Sequence, residues 1–90
     1  MLDLKYSSHF KRDLKSLTKN KDLLLELENV LDILISEQKL PVKNKNHQLK
    51  GEFKGCFECH IKPDVLLIYK KDKKEKTINL LRIGSHSSLF

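Results

Sequence analysis

The sequence predicts an α+β fold in which two N-terminal helices pack on one face of a mainly antiparallel sheet of four to five strands. Two observations predict it. A long apolar stripe at helical spacing lies in the first half of the chain, and alternating or continuous apolar runs typical of strands fill the second half. With 90 residues the chain is short, so we expect a single domain, residues 1–90.

The N-terminal half predicts one strand and two helices. Leu2, Leu4 and Tyr6 alternate with charged residues, as in a short strand, and Ser7 or Ser8 is expected to cap the first helix. A polar break separates this short helix from a longer one. The apolar positions of the two helices recur at helical spacing: Phe10, Leu14 and Leu17, then Leu23, Leu24, Leu27, Val30, Leu31, Leu34 and Ile35.

The C-terminal half predicts the other strands. Pro41 is expected to end the second helix, and Val42 to Gly55 to form a basic loop with at most one short strand. Residues alternate from Phe57 to Ile61, which places Glu58 and His60 on one sheet face and three apolar side chains on the other. The remaining elements are expected in this order: a turn at Pro63-Asp64, a buried strand from Val65 to Tyr69, a charged hairpin loop from Lys70 to Lys76, a last strand from Thr77 to Ile83 ended by Gly84, and a tail from Ser85 to Phe90. The second face of the sheet is expected to stay open.

The charge of the chain favours a polyanionic partner. Eighteen Lys and Arg against twelve Asp and Glu give a net charge of +6, which suits nucleic acid better than a neutral metabolite. The sequence has no apolar run long enough for a membrane span, and its N-terminus is charged where a signal peptide is apolar. We therefore expect a cytoplasmic protein without a membrane partner.

The run Cys56-Phe57-Glu58-Cys59-His60 matches the CxxCH attachment motif of c-type haem. The strand context, the missing export signal and the single Met at the initiator position argue against haem. A zinc site of Cys56, Cys59, His60 and another histidine would need a second well-spaced pair of ligands. We therefore expect no metal and no cofactor, with Cys59 as a small buried hydrophobe and Cys56 as a partly exposed thiol.

Three of the four histidines lie in the C-terminal half, near two acids and an arginine. In an antiparallel sheet, Glu58, His60, Asp64, Arg82 and His86 could meet in one solvent-facing hollow. Each residue also has an ordinary interpretation: a surface or capping histidine, or an arginine that pairs with an acid such as Glu58. Together with His47, these residues are the candidate catalytic set.

These side chains supply the groups that metal-independent RNA cleavage needs. A base activates the ribose 2′-hydroxyl, an acid protonates the leaving 5′-oxygen, and positive charge stabilises the phosphate. Our hypothesis makes Glu58 or His60 the base and His86 the acid, and the choice between Glu58 and the histidines stays open. Arg82, with Lys45 or Lys50, is expected to bind the phosphate, and the product is a 2′,3′-cyclic phosphate.

Basic residues around His47 and an aromatic C-terminus are candidates for RNA binding. Individually the lysines resemble ordinary solubility charges, but together they can neutralise backbone phosphates. A terminal phenylalanine is usually frayed or buried, yet it can also stack on a base. The candidates are Lys43, Lys45, Lys50, Lys54 and Phe90.

Several motifs of the C-terminal half occur together in one known family: His47-Gln48-Leu49-Lys50-Gly51, Phe53-Lys54-Gly55, Glu58-Cys59-His60-Ile61-Lys62-Pro63-Asp64, Leu67-Ile68-Tyr69 and Arg82-Ile83-Gly84-Ser85-His86-Ser87-Ser88-Leu89-Phe90. With them, Val42 to Phe90 resembles the YafQ branch of the RelE/ParE toxins of bacterial type II toxin–antitoxin systems. By motif position, the family's functional residues fall on His47, His60, Asp64, His86 and Phe90, and Glu58 takes an acidic position before the central histidine. The sequence departs from the family at Val65, where tryptophan is frequent, and in a hairpin, Lys70 to Lys76, that looks longer.

The resemblance implies a RelE-like fold and a ribosome-dependent endoribonuclease, an mRNA interferase, silenced by a cognate antitoxin. We therefore expect mRNA, the ribosome and an antitoxin as partners, and no small-molecule cofactor. Two alternatives stay open, a non-catalytic module that binds RNA or the ribosome and a ParE-like gyrase poison. The first would leave translated message intact, and the second would damage DNA.

Overall fold

The computed structural model describes residues 1–51 and 55–90. The described elements follow one another along the chain in this order: β1 (Asp3–Tyr6), α1 (Ser8–Lys15), α2 (Lys21–Ile35), a 3₁₀ turn (Val42–Asn44), β2 (His47–Gln48), β3 (Phe57–Lys62), β4 (Val65–Asp72), β5 (Thr77–Gly84) and α3 (His86–Leu89). No helix in these two segments is long and apolar enough to cross a membrane.

The five strands form one sheet in the order β1-β5-β4-β3-β2. Among the strands that the structure describes, β1 and β5 pair in parallel, and the other three pairs are antiparallel. Both α1 and α2 bury their apolar stripes on the same face of this sheet. The main core joins Phe10, Leu23, Leu27, Val30 and Leu34 of the helices to Cys59, Ile61, Leu67, Tyr69, Ile78, Leu80 and Ile83 of the strands. The predicted α+β architecture is confirmed.

Helix α2 ends at Ile35, well before Pro41, so the predicted end was wrong. Glu37 adopts a left-handed backbone with φ of 60°. In that conformation the Glu37 amide donates to the Leu34 carbonyl and the Gln38 amide to the Ile33 carbonyl, at 3.1 Å each. These two bonds satisfy carbonyls that the end of a helix leaves free, in the arrangement of a Schellman motif. The helix is therefore closed by its own C-cap, and proline is not needed.

The hairpin between β4 and β5 is shorter than predicted. Strand β4 continues through Asp72, because Lys70, Lys71 and Asp72 pair with Asn79, Ile78 and Thr77 of β5. The loop is therefore residues 73–76 instead of Lys70 to Lys76. A strand end needs only its backbone ladder and can carry charged side chains, so the charge of this segment did not mark a loop.

The second face of the sheet is not open, contrary to the expectation. A smaller cluster of Cys56, Leu66, Ile68 and Leu89 is buried there, with Leu49 and Leu81 packed against it. Leu89 belongs to α3, a short helix that the sequence did not predict. Because Cys56 lies in this cluster, its predicted partial exposure was wrong.

Candidate functional site

The polar residues of the second sheet face lie in two adjacent rows. The first row runs from His47 through Glu58 and Ile68 to Arg82, each the cross-strand partner of the next. The second row runs from His60 through Leu66 to Gly84. Since side chains directly opposite each other across a ladder share a face, the sheet brings residues from four strands onto one surface.

A β-bulge in β5 places Arg82 on this surface. Tyr69 pairs with Leu80 and Ile68 pairs with Arg82, which leaves Leu81 as the extra residue. Leu80 packs in the helix-side core, so strict alternation would send Arg82 to that side as well. The bulge reverses the alternation and turns Arg82 to the second face.

Glu58 lies between two histidines. Its Oε1 is 3.8 Å from Nε2 of His47 and 3.8 Å from Nε2 of His60. Only 9% of the Glu58 side chain is exposed, compared with 22% for His60 and 53% for His47. A carboxylate at this distance can stabilise, by charge attraction, an imidazolium that forms during proton transfer.

The backbone fixes the ring of His47. Nδ1 of His47 lies 2.8 Å from the carbonyl oxygen of Lys45. A carbonyl can only accept, so Nδ1 must carry the hydrogen and donate. In the neutral ring, Nε2 then holds the lone pair, and this is the nitrogen that faces Glu58.

A hollow of about 400 Å³ opens beside these residues. Its size is within the roughly 300–1,000 Å³ of typical ligand sites. The hollow is lined by Glu58, His60, Pro63, Asp64, Leu66, Ser85, His86 and Ser87. The structure thus brings four of the six candidate catalytic residues to one hollow. His47 does not line the hollow but lies next to Glu58, which does.

Helix α3 presents His86 to the hollow. Ser85 caps the helix by accepting from the Ser88 amide at 3.2 Å, and buried Leu89 anchors the helix to the sheet. The ring of Phe90 lies 5.0 Å from that of His86, at an interplanar angle of 34°. Phe90 is exposed and flanks the candidate acid.

Arg82 does not line the hollow, contrary to the prediction. Its Nε donates to Asp13 Oδ2 at 2.6 Å and its Nη2 to Asp13 Oδ1 at 3.1 Å, so its partner is Asp13 and not Glu58. Burial raises the pKa of Asp13, but the bonds from Arg82 and from the Ile83 amide outweigh it and bring the pKa below its ordinary value of 3.8. The same bond raises the pKa of Arg82.

The candidate RNA-binding lysines are spread over two further hollows. Lys50 lines one of about 450 Å³, and Lys54 lies outside the described residues. The other, of about 340 Å³, is lined by Glu26, Lys43, Asn44, Lys45, His60, Ile61, Lys62 and Pro63. Because His60 lines both this basic hollow and the one that contains His86, the two are neighbours.

Lys62 is a residue of the basic hollow that the sequence interpretation missed. Its Nζ lies 2.6 Å from Oδ2 of Asp22, and this hydrogen bond raises the pKa of the lysine. No local signal marked it, because a register shift between His60 and Lys62 interrupts the alternation of β3.

The two cysteines lie on opposite faces of the sheet. Cys59 is fully buried in the helix-side core, as predicted, and burial together with the charge of Glu58 raises its pKa to about 12. Cys56 belongs to the cluster on the second face. Within residues 1–51 and 55–90, no three His, Cys, Asp or Glu side chains are grouped so as to hold a metal ion.

Comparison with known proteins places the chain among the toxins of bacterial type II toxin–antitoxin systems. Residues 2–90 match a family described as "Bacterial toxin of type II toxin-antitoxin system, YafQ". The mRNA interferase toxin YafQ of Escherichia coli K12 is 34% identical over 89 residues, which cover 98% of this chain and 95% of that protein. The chain belongs to the YafQ family.

Solved structures agree with the sequence match. A metal-bound toxin from Helicobacter pylori is 49% identical, with a TM-score of 0.92 and 100% of both chains covered. YafQ in the E. coli DinJ–YafQ complex is 33% identical, with a TM-score of 0.87 and coverage of 100% of this chain and 99% of that one. The predicted family and fold are therefore confirmed.

Proposed function

We propose that this protein is an mRNA interferase, a metal-independent endoribonuclease that cleaves mRNA on the ribosome. The observation that carries the proposal is the position of Glu58 between His47 and His60, beside a hollow that also exposes Asp64 and His86. The E. coli relative that matches nearly the whole chain is called an mRNA interferase toxin. Imidazoles and carboxylates around an open hollow suit general acid–base chemistry on RNA.

The base takes the proton of the ribose 2′-hydroxyl, and the 2′-oxygen attacks the adjacent phosphorus. The bond from phosphorus to the 5′-oxygen breaks, and an acid protonates that oxygen, which leaves a 2′,3′-cyclic phosphate and a 5′-hydroxyl. His60 suits the base because it lines the hollow and is more exposed than Glu58. Glu58, 3.8 Å away, then stabilises the imidazolium that forms.

His86 suits the acid because it lines the same hollow from α3 while His60 lines it from β3. The two imidazoles therefore lie on different elements that line one hollow, so that one can activate the 2′-oxygen and the other can protonate the leaving 5′-oxygen. Asp64 lines the hollow as well and can hold an imidazolium or a ribose hydroxyl. Phe90, whose ring lies 5.0 Å from that of His86, is an exposed aromatic residue that can stack on a base.

Positive charge for the RNA backbone comes from the basic hollow. Lys43 and Lys45 line it next to His60, so a phosphate beside the cleaved one can bind there. Arg82 is bound to Asp13, so we assign it no direct contact with the reacting phosphate. Lys50 lies in a separate hollow and suits a more distant phosphate.

A cognate antitoxin is the proposed protein partner. The E. coli relative has been crystallised in complex with DinJ. With a net charge of +6, this chain suits an acidic antitoxin segment that covers the basic hollow and competes with RNA. Since mRNA is translated in the cytoplasm, the proposed action implies a cytoplasmic protein.

Primer extension on a translated transcript tests the function. We expect the wild-type protein to leave discrete cuts within the coding region, and His86→Ala to cut at least about 100-fold more slowly, since one acid or base contributes roughly 10²–10⁴ in rate. His9→Ala is the matched control, because His9 is exposed on α1 and lines none of the hollows described. It should cut like the wild type.

Intact translated message in the presence of the wild-type protein would contradict the nuclease and favour a non-catalytic module. Damaged DNA beside intact message would indicate a gyrase poison. Undiminished cutting by His86→Ala would remove only His86 from the catalytic set.

A further inference from the structure

The 3₁₀ turn before β2 is tied to the strand that carries His60. Within the described residues, strand β2 pairs with Phe57 and Glu58 and does not reach the His60 end of β3. At that end, Asn44 replaces the strand partner: the side-chain amide of Asn44 donates to the main-chain carbonyl of His60 at 2.7 Å. Only 4% of Asn44 is exposed, and a polar side chain buried to this degree is expected to serve such a bond.

The same turn holds the ring of His47. The amides of Asn44 and Lys45 donate to the carbonyls of Pro41 and Val42, at 3.0 Å each, and close the turn. Lys45 adopts a left-handed backbone with φ of 46°, and its carbonyl accepts from His47 Nδ1. One short segment is thus bonded to the backbone of one candidate catalytic histidine and to the ring of the other.

These two attachments fix the geometry around Glu58. Both Nε2 atoms lie 3.8 Å from the same carboxylate oxygen. His60 is held by its strand, whereas His47 begins a strand of two residues whose position depends on the turn before it. If Asn44 released His60, the Lys45 carbonyl would move, and the His47 ring would lose both its place and its tautomer.

We propose that Asn44 is a positioning residue: by joining the turn to the His60 carbonyl, it presents the two imidazoles to Glu58 from either side. Its effect on cleavage rests on the proposed function. Its effect on the His47 ring does not, because that geometry exists without substrate.

Asn46 offers a matched control in the same turn region. It accepts a hydrogen bond from the Tyr69 hydroxyl at 2.7 Å through its Oδ1, whereas Asn44 donates. Replacement by aspartate is nearly isosteric and makes the same charge change at both positions. Asn46→Asp keeps the acceptor that Tyr69 needs, but Asn44→Asp removes the donor and turns a carboxylate towards a carbonyl.

The first readout is the tautomer of His47, from imidazole ¹⁵N shifts at a pH where the ring is neutral. We expect the Nδ1–H form in the wild type and in Asn46→Asp, and a mixture of both tautomers in Asn44→Asp. The second readout is cleavage of translated message. We expect kcat to fall about 10-fold to 100-fold in Asn44→Asp with KM nearly unchanged, by analogy with residues that orient metal-ligating histidines.

A single Nδ1–H tautomer together with wild-type kcat in Asn44→Asp would overturn the proposal. Thermal unfolding shows whether that variant folds, and if it does not, Asn44→Ala removes the donor without burying a charge and decides by the same readouts. If the wild-type protein left translated message intact, the proposed nuclease activity would be contradicted. The tautomer measurement would still test whether Asn44 positions the His47 ring.

Discussion

At the scale of single residues, Asp13 links the first helix to the last strand. Its carboxylate accepts from two nitrogens of Arg82 and from the amide of Ile83, at 3.2 Å for the amide. Strand β1 pairs with β5 only as far as Leu80, so Asp13 occupies the edge of β5 beyond the end of β1. One side chain therefore replaces a missing strand partner and holds an arginine in place.

The ionisation of Asp13 predicts a pH dependence of stability. The pKa of Asp13 is lowered in the fold, so its contribution is fully present above the ordinary value of 3.8 and is lost as the pH falls through the folded value. We expect Asp13→Asn to lower the free energy of unfolding by about 2 kcal/mol at pH 7, as for hydrogen bonds to charged groups. As the pH falls below the folded pKa, the two proteins should converge in stability.

Urea unfolding followed by circular dichroism at several pH values measures this difference. Asp3→Asn is the control, because the Asp3 side chain is exposed and has no ion pair among the described residues. A loss in Asp13→Asn that stays constant from pH 7 to pH 2 would mean that the charge of Asp13 is unimportant.

The sequence predicts some of these residue positions and misses others for identifiable reasons. The alternation from Phe57 to Ile61 correctly places Glu58 and His60 on one face, because side-chain period is a local property. The pairing of Arg82 with Asp13 joins residues 69 positions apart, and no local pattern contains it. The bulge at Leu81 is likewise set by the neighbouring strand.

At the scale of elements, the least predictable part is α3. Four residues are too few to show a periodic apolar pattern, so the sequence predicts only a tail for His86–Leu89. The helix exists because Ser85 caps it and because Leu89 finds an apolar cluster on the second sheet face. The two errors, an open second face and a missed helix, therefore have the same cause: the burial of Leu89 on that face.

Loosening α3 should impair catalysis more than folding. Leu89→Ala removes the side chain that anchors α3 to the sheet, so it should mainly reduce the local stability of that helix. We expect the amides of Leu89 and Phe90, which donate to Ser85 and His86, to exchange at least about 10-fold faster, which corresponds to about 1.4 kcal/mol. The rate of RNA cleavage should also fall, because His86 loses its fixed position.

Hydrogen exchange and primer extension on the same protein measure both effects. Leu25→Ala makes the same substitution on α2, where the leucine is 58% exposed, and should change neither. Unaltered amide protection in Leu89→Ala would show that the cap alone holds α3.

At the scale of the whole molecule, similar charges lie at opposite ends of the sheet. The basic hollow of Lys43 and Lys45 adjoins the His60 end of β3, whereas Lys73 and Lys74 lie in the hairpin beyond the far end of β4. Eight residues of β4 separate the two ends, roughly 24 Å at about 3.4 Å per residue. The second pair should therefore lie too far from the hollow to bind the same phosphates.

Salt dependence of RNA binding distinguishes the two ends. Replacing Lys43 and Lys45 with glutamine should reduce the slope of log K against log salt by about 1.4, since each phosphate contact to a single strand contributes about 0.7. The same change at Lys73 and Lys74 alters the net charge equally and should leave the slope nearly unchanged. A 2′-O-methyl oligoribonucleotide, which cannot be cleaved, is a suitable probe, and equal slopes for both double variants would contradict RNA binding at the basic hollow.

The pairing of β1 with β5 has a consequence for synthesis of the protein. Asp3 lies opposite Thr77, so the sheet cannot close until β5 has been translated. The proposed acid, His86, follows β5 along the chain. A nascent chain that has not yet reached β5 therefore lacks both a closed sheet and the proposed acid.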